Sequence, residues 1–183
     1  MTDVDLVRLG RDVQDLKDRA DVLGCVTRHA SGCDRHDAEL ITSTYHPDGV
    51  DEHGAAVNVG PGYADWANAV HGATSANHLH HITTHRCEID GDAAHAESYV
   101  MVTLLSPDEA AATVMCGRYL DRLERRDGEW RIALRRATLE LAYTADARLL
   151  QSDFFVAQGY ERGRRDRTDP SYERPLTAAG TVR

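Results

Sequence analysis

No apolar run in this 183-residue chain approaches the roughly 20 residues that span a bilayer. The N-terminal stretch through Leu23 alternates charges with leucines and lacks the apolar centre of a secretory signal, so the chain is expected in the cytoplasm. Basic residues are the minority, 21 against 30 acidic, for a formal charge of -9. A nucleic-acid partner is thereby excluded, because phosphate binding draws its affinity from a net basic surface. The four cysteines (Cys25, Cys33, Cys87, Cys116) form no C-x-x-C pair and no zinc-finger spacing. In a reducing compartment they read as small apolar side chains without a disulfide. Internal repeats, low-complexity segments and long Gly/Ser linkers are also missing, and the length suits one domain with at most an extension.

The nucleotide and hydrolase signatures are absent as well: no G-x-G-x-x-G, no Walker loop, no G-x-S-x-G elbow, no H-E-x-x-H. What remains is acid–base chemistry by His and Asp in a pocket. Histidine is what the sequence has in excess. There are ten, and His78, His80, His81 and His85 fall within eight residues.

Helices come first. Leu9, Val13, Leu16, Ala20, Leu23, Thr27 and Ala30 recur at spacings of three and four, an amphipathic stripe ending at a Ser31-Gly32 cap. Asp37 can cap a second, short helix carrying Leu40, Ile41 and Tyr45, which stops at Pro47. A short strand around Val50 precedes a helix over Tyr63 to Val70, opened by Gly60-Pro61-Gly62 and ended by Gly72. From residue 77 the period changes to two. Strands are predicted over His78 to Ile89, Ala94 to Leu105, Thr113 to Glu124 and Glu129 to Tyr143, with turns at Gly91-Asp92 and Arg126-Asp127-Gly128. Helices before antiparallel strands is an α+β order, and four long strands with helices on one side should curl into a half-barrel, a cone with a floor and a mouth. Residues 1–145 form this domain. Residues 146–183 form a C-terminal extension whose Phe154, Phe155, Tyr160, Tyr172 and Leu176 are expected to anchor it over the mouth or onto a neighbouring subunit.

Three places can carry chemistry. Asp34, just past the first helix, either caps the turn or faces a pocket. Strand alternation puts His81, Thr83, His85, Cys87 and Ile89 on one face, the more apolar and therefore inward one. There His81 and His85 are structural or catalytic imidazoles. At about 13 Å apart they cannot share one ion, so a metal would need ligands from elsewhere. On the last strand Arg136 continues the Trp130, Ile132, Leu134 face, either snorkelling at the rim or pointing into a polar pocket.

These pieces resemble the SnoaL-like branch of the nuclear transport factor 2-like superfamily over roughly residues 5–145. The likeness rests on Cys33-Asp34-Arg35-His36-Asp37, Tyr45-His46-Pro47-Asp48, His81-Ile82-Thr83-Thr84-His85, Ile89-Asp90-Gly91-Asp92 and the run from Gly117-Arg118-Tyr119 to Trp130-Arg131-Ile132. It implies a cone-shaped α+β barrel of mixed or antiparallel strands. Among its members are cofactor-free lyases such as scytalone dehydratase, hexachlorocyclohexane dehydrochlorinase and bile acid 7α-dehydratase. Carried onto this chain, the resemblance makes Asp34 and His81 a catalytic dyad and Arg136 a pocket arginine. His29 stands where relatives carry Tyr, and His85 where they usually carry Asn. With Tyr45, Trp66, Tyr99, Met101 and Phe154 these residues are the expected substrate contacts, and Phe155 would add to the apolar wall. The resulting expectation is a lyase of the dehydratase type acting on a hydrophobic aromatic or polycyclic molecule, with no cofactor and no metal. The same dyad would serve formaldehyde loss, isomerisation or cyclisation. A different class remains open: a small-molecule binder, or an accessory protein like the small subunit of ring-hydroxylating dioxygenases. The resemblance also implies a homo-oligomer, a trimer or a dimer.

Overall fold

The computed structural model describes residues 3–178. Its first helix, α1 (Asp3–Asp34), is longer than the predicted stripe and buries a different one. Leu9, Val13, Leu16 and Leu23 are exposed, whereas Val22, Cys25, Val26, His29, Ala30 and Cys33 are buried at helical spacing. The first four turns of α1 stand clear of the core. Packing is decided over the last three turns, where small side chains let the helix approach the sheet. Gly32 lies inside the helix instead of capping it: a Cβ there would sit 2.9 Å from Ile41 Cγ1. His36, at φ 50°, takes the left-handed position after the helix. Asp37 caps α2 (Ala38–Ser43) as predicted, accepting the Leu40 N–H at 3.1 Å.

Tyr45 opens a strand rather than closing a helix: β1 (Tyr45–His53) turns at Gly54 into the short β2 (Ala56–Val59). Pro61 fits the first turn of α3 (Gly60–Thr74), which runs through Gly72 without stopping. Then come β3 (Asn77–Asp90), β4 (Ala93–Leu105), β5 (Ala111–Arg126) and β6 (Glu129–Asp146). Gly91, Asp127 and Gly128 take the positive φ angles of the predicted hairpin turns. The strands form one mixed, curved, unclosed sheet in the order β2-β1-β6-β5-β4-β3, antiparallel except for the β1–β6 pair. Helices α1 and α3 pack against it, the α+β cone expected from the sequence. No described helix is long and apolar enough to cross a membrane.

Among the described residues the register breaks four times, once in the parallel β1–β6 pair between Tyr45 and Val50 and three times by a one-residue bulge in the antiparallel pairs. One residue is extra on β3 between Ile82 and His85, and two on β6, beside Ala133 and beside Glu140. Each bulge bends the strand and raises its twist. Each also flips the phase of inward and outward side chains. At the last bulge the backbones nearly touch, since a Cβ on Gly117 would lie 1.9 Å from the Thr138 carbonyl oxygen. Far from this bend, Asp18 of α1 is buried and pins the helix to the β5–β6 hairpin. It accepts from Trp130 Nε1 at 2.9 Å and from Arg125 at 2.8 Å.

After β6 comes helix α4 (Asp153–Gln158), and then the chain returns to the α1–α2 junction. Polar contacts hold it there more than apolar burial does: Phe154, Tyr160 and Leu176 are exposed, and Phe155 and Tyr172 are half-buried. Arg35 pairs with buried Asp169 at 3.0 Å, and Asp37 accepts from the Tyr172 hydroxyl at 2.7 Å. Arg165 donates to the Ser75 carbonyl oxygen at 2.8 Å and to His78 Nδ1 at 2.9 Å.

Two glycine substitutions separate these constraints. Gly117→Ala should lower unfolding stability in urea by about 1–3 kcal/mol, because backbone must move to admit the methyl group. Gly62→Ala, at an exposed position in α3 with nothing within 4 Å of the new Cβ, should raise it by about 0.5–1 kcal/mol.

Candidate active site

Asp34 is the last residue of α1, and it meets β3 side-on. Its two carboxylate oxygens each lie 3.0 Å from the His80 backbone N–H, and Oδ1 lies 2.7 Å from His80 Nδ1. The carboxylate is buried, and the His80 side chain keeps only 4% of its surface. Three contacts from one residue fix the carboxylate. With Nδ1–H donated to Asp34, the imidazole keeps Nε2 as its free nitrogen.

The cavity beside this pair has a volume of about 350 Å³. His80, His71, His53, Tyr63, Trp66 and Tyr119 line it together with Val100, Val102, Met115 and Leu139. Most of the wall is apolar, and imidazoles supply the polar groups. His71 of α3 stands with its ring centroid 5.5 Å from that of His80. Burial, then the neighbouring imidazoles of His80 and His36, push it down to about 3, so it is neutral at physiological pH. On the far wall His53 Nδ1 lies 2.5 Å from buried Asp51.

Behind the wall is a layer of buried polar side chains. His29 is fully buried, its ring within 5.2–6.1 Å of Tyr63, Tyr45 and Tyr119. Its Nδ1 is 3.4 Å from Thr44 Oγ1 and its Nε2 3.6 Å from Cys33 Sγ. Burial, then Arg135, holds it neutral, far below the usual imidazole range. Arg135 is itself fully buried, with Asp121 accepting at 2.7 Å on both oxygens and the guanidinium 4.0 Å from the Tyr119 ring centroid. Burial opposes the charge on Arg135, yet the Asp121 carboxylate keeps the group protonated.

The structure redistributes the residues singled out from the sequence. Asp34 does meet a β3 histidine, but it is His80. His81 is exposed, and the inward set is His78, His80 and Ile82, then His85, Cys87 and Ile89. The bulge at Thr83–Thr84 is the reason, since alternation counted back from Ile89 crosses it and arrives one residue late. Ile82 and Cys87, two apolar residues an odd number of positions apart, were the signal that one period could not serve the whole strand. Arg136 is corrected in the same way. It lies outside, paired with Glu52 at 2.5 Å, because the bulge at Ala133 turns Arg135 inward instead. Trp66 lines the cavity. His29 and Tyr45 are buried behind its wall, and His85 bonds Ser98 Oγ at 2.8 Å away from it. Tyr99 and Met101 are on the outward phase of β4, whose inward Val100 and Val102 reach the cavity. Phe154 is exposed on α4, edge-on to Phe155. Sequence reasoning missed His53, Tyr63, His71, His80 and Tyr119 as lining groups.

Among the described residues two trios bring possible metal-ligand atoms within 4.8 Å of one another: Asp34, His78 and His80; and His36, His71 and His78. Both need His78, whose ring is already committed. Nε2 donates to the Cys33 carbonyl oxygen at 2.9 Å, and Nδ1 accepts from Arg165 at 2.9 Å. A cation would have to displace a hydrogen bond and settle beside the Arg165 guanidinium. The trios fit a set of packed rings and hydrogen-bonded side chains better than a ligand set.

Comparisons with known proteins bear on the family and the fold. The model of the SnoaL-like domain matches residues 14–136, so the chain belongs to the SnoaL-like family. Among solved structures, hexachlorocyclohexane dehydrochlorinase LinA-type3 from Novosphingobium barchaimii superposes with a TM-score of 0.68 at 20% identity, covering 73% of this chain and 94% of that one. A scytalone dehydratase-like protein from Novosphingobium aromaticivorans gives 0.64 at 16% identity, over 72% and 89% of the two chains. A Mycobacterium tuberculosis protein of unknown function gives 0.62 at 27% identity, over 69% and 74%. No curated protein sequence matches.

The neutral histidines predict acid sensitivity. Burial first, then His71 and His80, pushes His78 down to about 2, while His71 is held at about 3. Below the ordinary imidazole value of about 6.5 the unfolded chain binds protons that the folded chain refuses. Stability is therefore full above that value and is lost as the pH falls toward 3. The melting temperature should drop steadily between pH 6.5 and pH 4, and His71→Gln should make that drop shallower by up to one proton's worth of slope.

Proposed function

We propose that this SnoaL-like chain is a cofactor-independent lyase that eliminates water, or a similar leaving group, from a hydrophobic ring-containing molecule. The observation that carries the reading is the Asp34–His80 couple, with a free imidazole nitrogen beside a largely apolar cavity. The dehydrochlorinase and scytalone dehydratase-like neighbours are consistent with such chemistry.

Each residue's part follows from its partners. Asp34 accepts the His80 Nδ1–H, fixing tautomer and ring direction, and stabilises the imidazolium once Nε2 has taken a proton. The proton removed is one made acidic by a neighbouring carbonyl, so that the C–H electron pair can move toward oxygen. His71, held neutral 5.5 Å from the His80 ring, is placed to donate a hydrogen bond to that oxygen as negative charge builds on it. Apolar walls exclude competing water and strengthen both interactions. Nothing here requires the outward His81 or Arg136.

The test is turnover of a panel of aromatic and bicyclic β-hydroxy ketones, with product identified by the mass of water lost. Wild type should convert at least one member of the panel. His80→Gln and Asp34→Asn should each lower kcat by about 10²–10⁴-fold. His81→Gln and Arg136→Gln should stay within about twofold of wild type. Tight binding of these ketones with no product from wild type would replace the lyase by a binding protein.

A further inference from the structure

His53, the last residue of β1, has a carboxylate partner of its own. Its Nδ1 donates to Asp51 Oδ1 at 2.5 Å, and the other Asp51 oxygen accepts from the Tyr45 hydroxyl at 2.5 Å. Asp51 and His53 are two residues apart on a strand and share a face, while Glu52 between them turns outward to Arg136. Asp51 is fully buried and Tyr45 nearly so, so the carboxylate is held whether or not His53 uses it. His53 differs from its two supports. Its side chain is 24% exposed, it rests on the rings of Tyr63, Trp66 and Tyr119, and it lines the cavity. With Nδ1 committed to Asp51, the nitrogen left for the cavity is Nε2.

The two histidine–aspartate couples come from strands far apart in the sheet, β1 next to one edge and β3 at the other. Three strands, β6, β5 and β4, separate β1 from β3. Helix α3 bridges the gap, touching His53 through Tyr63 and Trp66 and His80 through His71. Those contact points are five to eight residues apart, about 8–12 Å along the helix axis. His53 and His80 both line the cavity of about 350 Å³, room in which a bicyclic molecule would lie.

We propose that His53, backed by Asp51 and Tyr45, is the proton donor to the leaving oxygen, acting from the wall opposite His80. The assignment rests on the elimination proposed above. His80 Nε2 takes the proton from the carbon beside the carbonyl, and that C–H pair becomes the new C=C bond. The C–O bond on the next carbon breaks with its electrons going to oxygen, which takes the Nε2 proton of the His53 imidazolium and departs as water. His80 ends protonated and His53 neutral, and one proton returns through solvent to restore both. Donor and acceptor on opposite walls favour departure from the ring face opposite the abstracted proton.

A pair of probes isolates this role: 3-hydroxy-1-tetralone, whose leaving group needs a proton, and its 3-chloro counterpart, whose leaving group does not. His53→Gln should lower turnover of the hydroxy ketone by about 10²-fold or more and leave the chloro ketone within about threefold, while His80→Gln lowers both. Equal effects of His53→Gln on the two probes, or none on the hydroxy ketone, would overturn the assignment. If wild type converts neither probe, the elimination reading fails by itself, and a second measurement decides His53. Diethyl pyrocarbonate on the full-length chain, mapped by mass spectrometry, should modify His53 and His80 faster than His29 and His78, which are buried with both ring nitrogens engaged. A His53 as unreactive as His78 is a structural residue, and the proposal falls.

Discussion

One carboxylate organises the molecule. Asp34 ends the long helix, and its two oxygens take three hydrogen-bond contacts from a single residue of β3. The contact is a tether and a tautomer lock together. It docks α1 onto the edge strand of the sheet, and it determines which nitrogen of His80 is left for the cavity. Its geometry needs the helix to run past Gly32 to residue 34, which is possible because Gly32 lets the helix lie directly on Ile41. It also needs the C-terminal segment, whose Asp169 and Tyr172 hold Arg35 and Asp37 on either side.

Around this contact the protein uses neutral imidazoles where a larger protein would use apolar side chains. His29, His71 and His78 are all held unprotonated, chiefly by burial, and each finds a hydroxyl, thiol, carbonyl or neighbouring ring to face. Buried Arg135 and Asp121 neutralise each other bidentately beneath Tyr119. Removing one member would leave the other buried and uncompensated, which costs about 3–5 kcal/mol. This floor supports the cavity wall and leaves its apolar lining intact.

Element order and fold class were legible in the sequence because period, caps and turn residues agree: Asp37, Gly91 and Asp127-Gly128 do in the structure what their chemistry suggests. Faces were harder to read. The leucines of α1 outweigh its cysteines and valines in hydrophobicity, yet Leu6, Leu9 and Leu16 lie on turns that stand clear of the core and Leu23 faces away from it, while Val22, Cys25 and Val26 are buried. On β3 and β6 the chemistry hinged on a single inserted residue. Thr83–Thr84 moves the inward histidine from 81 to 80, and Ala133 moves the inward arginine from 136 to 135. Bulges are local departures that a constant period of two cannot register. Apolar residues at odd separation within one strand, Ile82 against Cys87 or Ile132 against Ala133, are the trace they leave. His53 was illegible for a different reason: its partner Asp51 is two residues away on a strand whose inward face is set by pairing with β6.

In the proposed elimination His80, oriented by Asp34, removes a proton from carbon. Deuterium wash-in at the α-carbon of 2-tetralone measures that step alone, without a leaving group, by proton NMR in heavy water. The account predicts enzyme-dependent exchange by wild type and by His81→Gln, and its loss in His80→Gln and Asp34→Asn while all four proteins melt as folded chains. Exchange that survives in His80→Gln, or that disappears in His81→Gln, would contradict it.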